Sequence, residues 1–205
     1  MNNSIFREYD IRGIAGKDLN HEVVEMIGLS FGSMIIENGL KKISIGRDCR
    51  KSSDWIFDSL SKGIIRTGVD IIDLGLVTTP VLYFSLYGLD VDGGIMITAS
   101  HNPPNYNGFK AAIGKDVLSS KQIQDLKDKI IGRSFRISET KGQIVKFDIY
   151  ELYMADIVKN IKISRKLRVG VDCANTPVGL FAKDVLTSAG CEVFELFPEP
   201  EGNFP

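Results

Sequence analysis

The stretch that decides the fold is D-G-G-I-M-I-T-A-S-H-N-P-P-N-Y-N-G-F-K-A-A, Asp92 to Ala112. A short apolar run, Ile95 to Ile97, stops at Thr98 and gives way to small, polar and proline residues, and a second apolar run begins after Gly108. The pattern predicts a buried strand, a tight loop and a second strand. Pro103 and Pro104 remove two backbone donors and fix two φ angles, so the loop is expected to be stiff. A rigid loop at the end of a buried strand is where α/β proteins place their chemistry. This one carries Ser100 and His101, with Lys110 just beyond it. On the residues alone, Ser100 could be a nucleophile, a phosphate acceptor or an ordinary loop serine. No G-x-S-x-G elbow surrounds it, so a serine hydrolase is the weakest of the chemical readings.

Working outward, Phe6 to Gly13 reads as an edge strand running into a glycine turn. Apolar residues at helical spacing predict a helix over 20–38, with His21 as a surface residue in its first turn. Ile43 to Gly46 reads as a strand, followed by a helix over 54–67 that Ser53 can cap. Val69 to Leu74 is a further strand. It leads to a helix capped by Thr78 or Thr79, with Pro80 in its first turn and Leu82, Tyr83, Leu86 and Tyr87 as core. Ser119 and Ser120 introduce a helix to about Ile131. A connection over 132–142, with room for an edge strand, precedes a helix over 149–161. A strand over 167–172, a helix over 178–188 and a strand over 192–197 complete the reading. Alternating strands and helices argue for an α/β layer sandwich.

The composition narrows the function classes. With 43% hydrophobic and 25% charged residues in 205, the chain reads as globular, and a net charge of -1 gives no electrostatic argument for nucleic acid or an acidic membrane surface. No run approaches the ~20 apolar residues of a membrane span, and no apolar leader opens the sequence. Cys49, Cys173 and Cys191 are odd in number and dispersed, which fits a reduced cytoplasmic protein, with Cys173 and Cys191 as small core residues.

Thirteen consecutive residues, T-A-S-H-N-P-P-N-Y-N-G-F-K from Thr98 to Lys110, resemble the active-site loop of the α-D-phosphohexomutases. The opening F-R-E-Y-D-I-R-G, Phe6 to Gly13, is similar to the N-terminal signature of their bacterial phosphomannomutase/phosphoglucomutase branch. G-R-D-C-R, Gly46 to Arg50, matches a further family element, although Cys49 stands where glycine is common. V-D-C-A-N-T-P-V-G, Val171 to Gly179, resembles the opening of the family's second domain, with Thr176 where glycine is frequent; lacking G-x-G-x-x-G, it is no dinucleotide fingerprint.

The resemblance implies a three-layer α/β/α sandwich over 1–147, carrying the phosphoserine loop, and an incomplete second domain of the same type over 148–205. It implies that Ser100 is phosphorylated and passes the phosphoryl group between the 1- and 6-positions of a hexose. Arg12 and Lys110 would neutralise charge, His101 would assist proton movement, and Tyr9 would stand at the mouth of the site. Arg47, Asp48 and Arg50 are expected to brace the loop by charge-assisted hydrogen bonds. Mg2+, held through the phosphate oxygens on Ser100, a hexose 1,6-bisphosphate activator and a hexose phosphate substrate follow from the same resemblance. So do further C-terminal domains, because the family's D-G-D-G-D metal loop and its sugar- and phosphate-binding loops are not in this sequence. The alternative is an inactive fragment that at most binds phosphate or associates with those domains.

Overall fold

The computed structural model describes all residues, 1–205. Its main sheet contains β1 (Ile11–Ile14), β2 (Lys42–Arg47), β3 (Asp70–Leu76), β4 (Gly93–Ile97), β5 (Tyr106–Ile113), β6 (Asp116–Val117) and β7 (Ile144–Lys146). The strand order is β1-β5-β4-β2-β3-β7, with β6 paired to β5. Strands β4, β2, β3 and β7 run parallel, whereas β5 is antiparallel to both β4 and β1.

Helices cover both faces. On one, α1 (His21–Glu37), α2 (Ser53–Ile65) and α4 (Ser120–Ile131) enclose a core with Ile43, Ile45, Ile71, Ile95, Ile97 and Phe109 from the strands. On the other, α3 (Thr79–Gly88) and the segment leading into α5 (Tyr150–Asn160) bury Leu74, Val77, Val81, Leu82, Met96 and Ile149. The central strands are apolar on both sides because both sides are covered. The architecture is therefore the expected three-layer sandwich, with a mixed sheet.

A separate two-stranded parallel sheet joins β8 (Arg168–Asp172) to β9 (Glu192–Leu196), with α6 (Ala182–Ser188) between them. Phe181, at the start of α6, reaches the core formed by α3 and α5 and meets Tyr150 and Tyr153 at ring distances of 5.7 and 5.8 Å.

Several local expectations change. Ser53 does not cap α2: its hydroxyl donates to Asp48 Oδ1 at 2.7 Å, and Ser52 occupies the cap position without a side-chain bond. Tyr87 is 66% exposed rather than core, with Lys115 Nζ 4.6 Å from the centre of its ring. The edge strand lies not in 132–142 but immediately after, at Ile144–Lys146. The helix expected over 178–188 is a 3-10 turn, Pro177–Leu180, followed by α6. His21 is exposed as expected, yet its Nδ1 lies 2.8 Å from Ser59 Oγ.

Candidate active site

β2 leads through α2 to β3 on one side of it in the sheet, and β4 leads to β5 on the other. The neighbouring strands β2 and β4 thus send their chains in opposite directions from the same end. Such a switch point, outside the carboxyl ends of the strands, is where open α/β sheets bind ligands. Here the two loops are Asp48–Ser52 and Thr98–Asn105, and they are knitted together from their first residues, with Asp48 N–H donating to the Ile97 carbonyl at 3.0 Å.

Arg50 builds the loop. Its side chain is 1% exposed, and all five N–H groups are used. Nε donates to Asp48 Oδ2 at 3.0 Å, one terminal nitrogen to the carbonyls of Pro103 and Tyr106 at 2.6 and 3.1 Å, and the other to those of Ser100 and Asn102 at 2.9 and 2.8 Å. A planar fork with fixed donor directions can collect several carbonyls that a point-charge lysine could not hold in register. Asp48 is the counterweight. Its carboxylate also accepts from Ser53 Oγ and Thr98 Oγ1, both at 2.7 Å, and from the Arg50 N–H at 3.1 Å.

This frame fixes Ser100 in an uncommon conformation. Its φ is 54°, in the left-handed region that costs an L-residue other than glycine roughly 1–2 kcal/mol. Its N–H donates to Thr98 Oγ1 at 3.0 Å and its carbonyl accepts from Arg50, so bonds on both sides hold the turn. The side chain is exposed and not folded behind the sheet. Ser100 also lines a cavity of about 260 Å3 with Asp48, Thr98, Thr78, Thr176 and Phe204.

None of the other expected residues, Tyr9, Arg12, His101 and Lys110, lines this cavity. On β1 and β5, Arg12 faces Gly108 across the ladder, and Lys110 faces Met96 across the next. Because Gly108 and Lys110 are two apart on one strand, Arg12 and Lys110 share a face of the sheet. Gly108 lets β1 come close: a Cβ there would lie 2.1 Å from the Ile11 carbonyl oxygen. Arg12 donates to Asn102 Oδ1 at 2.5 Å and pairs with Asp10, while its Nε is buried without a partner. Neither Arg12 nor Lys110 bonds the Ser100 hydroxyl directly. His101 is exposed beside Ser100, and Tyr9 is 69% exposed, its hydroxyl pKa raised by the hydrogen bond and charge of Glu8. Arg47 is structural, pairing with Asp73 and Asp54 at 2.7 and 2.8 Å under the Phe57 ring.

Three contributors were not singled out by the sequence. Asn102 connects Arg12 to the serine loop. Asn107, fully buried, donates to Ser52 and Ser53 at 2.9 and 3.1 Å. Phe204 lies over the Arg50 guanidinium at 5.0 Å, bringing the last residues of the chain onto the loop frame. Cys49 is half-buried, and burial, then the charge of Asp48, pushes its thiol pKa up.

The family described as "Phosphoglucomutase/phosphomannomutase, alpha/beta/alpha domain I" matches residues 3–140. The chain belongs to the phosphoglucomutase/phosphomannomutase family. Over 202 residues it is 41% identical to a phosphomannomutase/phosphoglucomutase of Pseudomonas putida, covering 98% of this chain and 43% of that protein. A phosphoglucomutase of Neisseria gonorrhoeae is 38% identical over 201 residues, covering 98% and 44%. Among solved structures, a phosphoglucomutase/phosphomannomutase family protein from Burkholderia thailandensis superposes with a TM-score of 0.95 at 38% identity, covering all of this chain and 46% of that one. The chain spans less than half the length of these relatives and corresponds to the N-terminal portion of the bacterial phosphoglucomutase/phosphomannomutase family. No helix is long and apolar enough to cross a membrane.

Proposed function

We propose that the chain is the N-terminal part of a phosphomannomutase/phosphoglucomutase in which Ser100 carries a phosphoryl group between the 1- and 6-positions of a hexose. The observation that supports this most is an exposed serine held in a left-handed turn by a fully engaged, buried arginine at the sheet's switch point. Such a frame fixes the line along which phosphorus is attacked, which is most of what phosphoryl transfer asks of a protein.

In the forward step the bond between Ser100 Oγ and phosphorus breaks as a sugar hydroxyl oxygen bonds to phosphorus. The hydroxyl proton leaves to a base, a role we assign to His101, the exposed chain neighbour of the serine. In the return step the sugar's other phosphoryl group passes to Ser100 Oγ, which restores the phosphoserine. Arg12 would contribute the fixed charge of its guanidinium, which Asp10 and Asn102 hold in place. Lys110, on the same sheet face, adds a point charge, and Tyr9 stands exposed for substrate contact. Residues 148–205 open a second domain in this reading, and domains beyond this length complete the site.

Mg2+ fits these residues only in part. No three His, Cys, Asp or Glu side chains gather as a metal site, and both Asp48 oxygens are already bonded. A phosphate on Ser100 would supply hard oxygens, and the bound cation would offset phosphoryl charge. Its other ligands would come from outside this chain. A hexose 1,6-bisphosphate would serve as activator by loading Ser100.

A coupled assay with hexose 1-phosphate, Mg2+ and bisphosphate tests the proposal. Turnover abolished by Ser100→Ala supports it, and turnover that survives this change contradicts it. The second reading, a chain that binds phosphate without turnover, is favoured by Arg12, His101 and Lys110 lying outside the cavity that Ser100 lines. A folded chain without activity would select that reading.

A further inference from the structure

We propose that a second cavity, separate from the one lined by Ser100, binds a phosphorylated sugar. It has a volume of about 580 Å3 and eleven lining residues, none shared with the Ser100 cavity. That is within the range of ~300–1,000 Å3 typical of small-molecule sites. The inference does not depend on the proposed mutase activity.

The donor and acceptor set is what selects the ligand. No Asp or Glu lines the cavity, although the chain has 26 acidic and 25 basic side chains. Lys51 lines it, exposed and in no ion pair, as a free cation for a phosphate group. His21 supplies the opposite polarity. Ser59 Oγ donates its proton to the Trp55 carbonyl at 3.0 Å, so at the 2.8 Å contact His21 Nδ1 is the donor and Ser59 the acceptor. In the tautomer with the proton on Nδ1, Nε2 would be the acceptor, which suits a sugar hydroxyl. Trp55 lines the cavity too, its ring 4.7 Å from that of His21, and an indole is the residue type that takes the C–H face of a pyranose. Asn20 uses its oxygen to accept from the Val23 N–H at 2.9 Å, which leaves its NH2 to donate.

The cavity also touches the reaction loop without containing the serine. Pro104 and Asn105 line it, as do Gly202 and Asn203 from the last residues of the chain. Gly202 is pressed against the loop before α2, where a Cβ would lie 2.4 Å from the Cys49 carbonyl oxygen. A ligand here would bridge the serine loop, the helix starts and the chain's C-terminal segment.

Trp55 is the only tryptophan and lines this cavity, so tryptophan emission excited selectively over the six tyrosines reports on it. The 205-residue chain is titrated at matched ionic strength with glucose 6-phosphate, glucose and inorganic phosphate. The expected result is a saturable change with glucose 6-phosphate and an affinity lower by about tenfold or more for either part alone. Lys51→Ala should weaken binding about tenfold, Lys51→Arg should restore most of it, and Arg12→Ala should leave it unchanged. Circular dichroism checks that each variant is folded. No saturable change, equal affinity for inorganic phosphate, or binding lost in Arg12→Ala but kept in Lys51→Ala would each overturn the proposal.

Discussion

At the scale of single residues, Arg50 carries more of the site than any group with a chemical role. Truncation by Arg50→Ala would leave the Asp48 carboxylate and four loop carbonyls short of a donor in a buried place. Breaking a buried pair in this way costs about 3–5 kcal/mol, and urea denaturation should show a loss of that size. Arg50→Lys should recover little of it, because an ammonium cannot reach the carbonyls in the fork's geometry. Arg12→Ala belongs to the same scale but to a different readout. It takes the partner from Asp10 and a donor from Asn102, so it should cost stability as well; under the mutase proposal its larger effect is on turnover, lower by about a hundredfold, the usual order for one donor to a developing charge. The serine loop was legible in the sequence because its thirteen residues are contiguous. The bracing role of the Gly46–Arg50 element was legible too. The Arg12–Asn102 bond was not, since it joins residues 90 apart in the chain. Ser53 misled for a related reason: a serine before a helix usually caps it, but here Asp48 takes the hydroxyl.

At the scale of elements, α1 and α2 cross at two glycines. A Cβ at Gly28 would lie 2.2 Å from the Leu60 carbonyl oxygen, and one at Gly63 2.2 Å from that of Glu25. Intrinsic helix propensity favours Gly→Ala by ~0.5–1 kcal/mol. The overlap is with backbone, so overpacking of ~1–3 kcal/mol should win, and Gly63→Ala should lower the melting temperature. The same helix pair carries a pH signature. The hydrogen bond from Lys62, and then that from Arg66, hold the Glu25 carboxyl below its ordinary value of 4.5. A depressed folded pKa stabilises the fold above the unfolded value and loses that contribution as pH falls through the folded one. Glu25→Gln should therefore lower the melting temperature at neutral pH, and the gap from the parent should close as pH drops below about 4.5. Helix existence was legible from apolar periodicity, and the capping box of Ser119 and Gln122 marks the start of α4. The position of edge strand β7 was not, because a three-residue exposed strand has no core face to impose an alternation.

At the scale of the molecule, the two-stranded sheet is tied to the main body by an aromatic cluster and by Phe204. The cluster of Phe84, Tyr150, Tyr153 and Phe181 closes the core beneath α3 and α5. Phe204 touches the frame of the serine loop itself. Removing its ring by Phe204→Ala withdraws a cation–π contact of ~0.5–2 kcal/mol. Amide exchange in the serine loop, residues 98–106, should quicken while α1 and α2 keep their protection. Uniform quickening across the chain would instead mean general loss of stability. The layer architecture was legible because alternating strands and helices leave few ways to bury both sheet faces. The covering of the serine frame by the final residues was not, because it depends on how two separate sheets are set together.

The account turns on Ser100 accepting a phosphoryl group. The direct measurement is peptide-resolved mass spectrometry of the chain after incubation with a hexose 1,6-bisphosphate and Mg2+. The expected result is a single added phosphoryl group on the peptide containing Ser100, absent from Ser100→Ala. Phosphate on another residue with Ser100 left unmodified would contradict it.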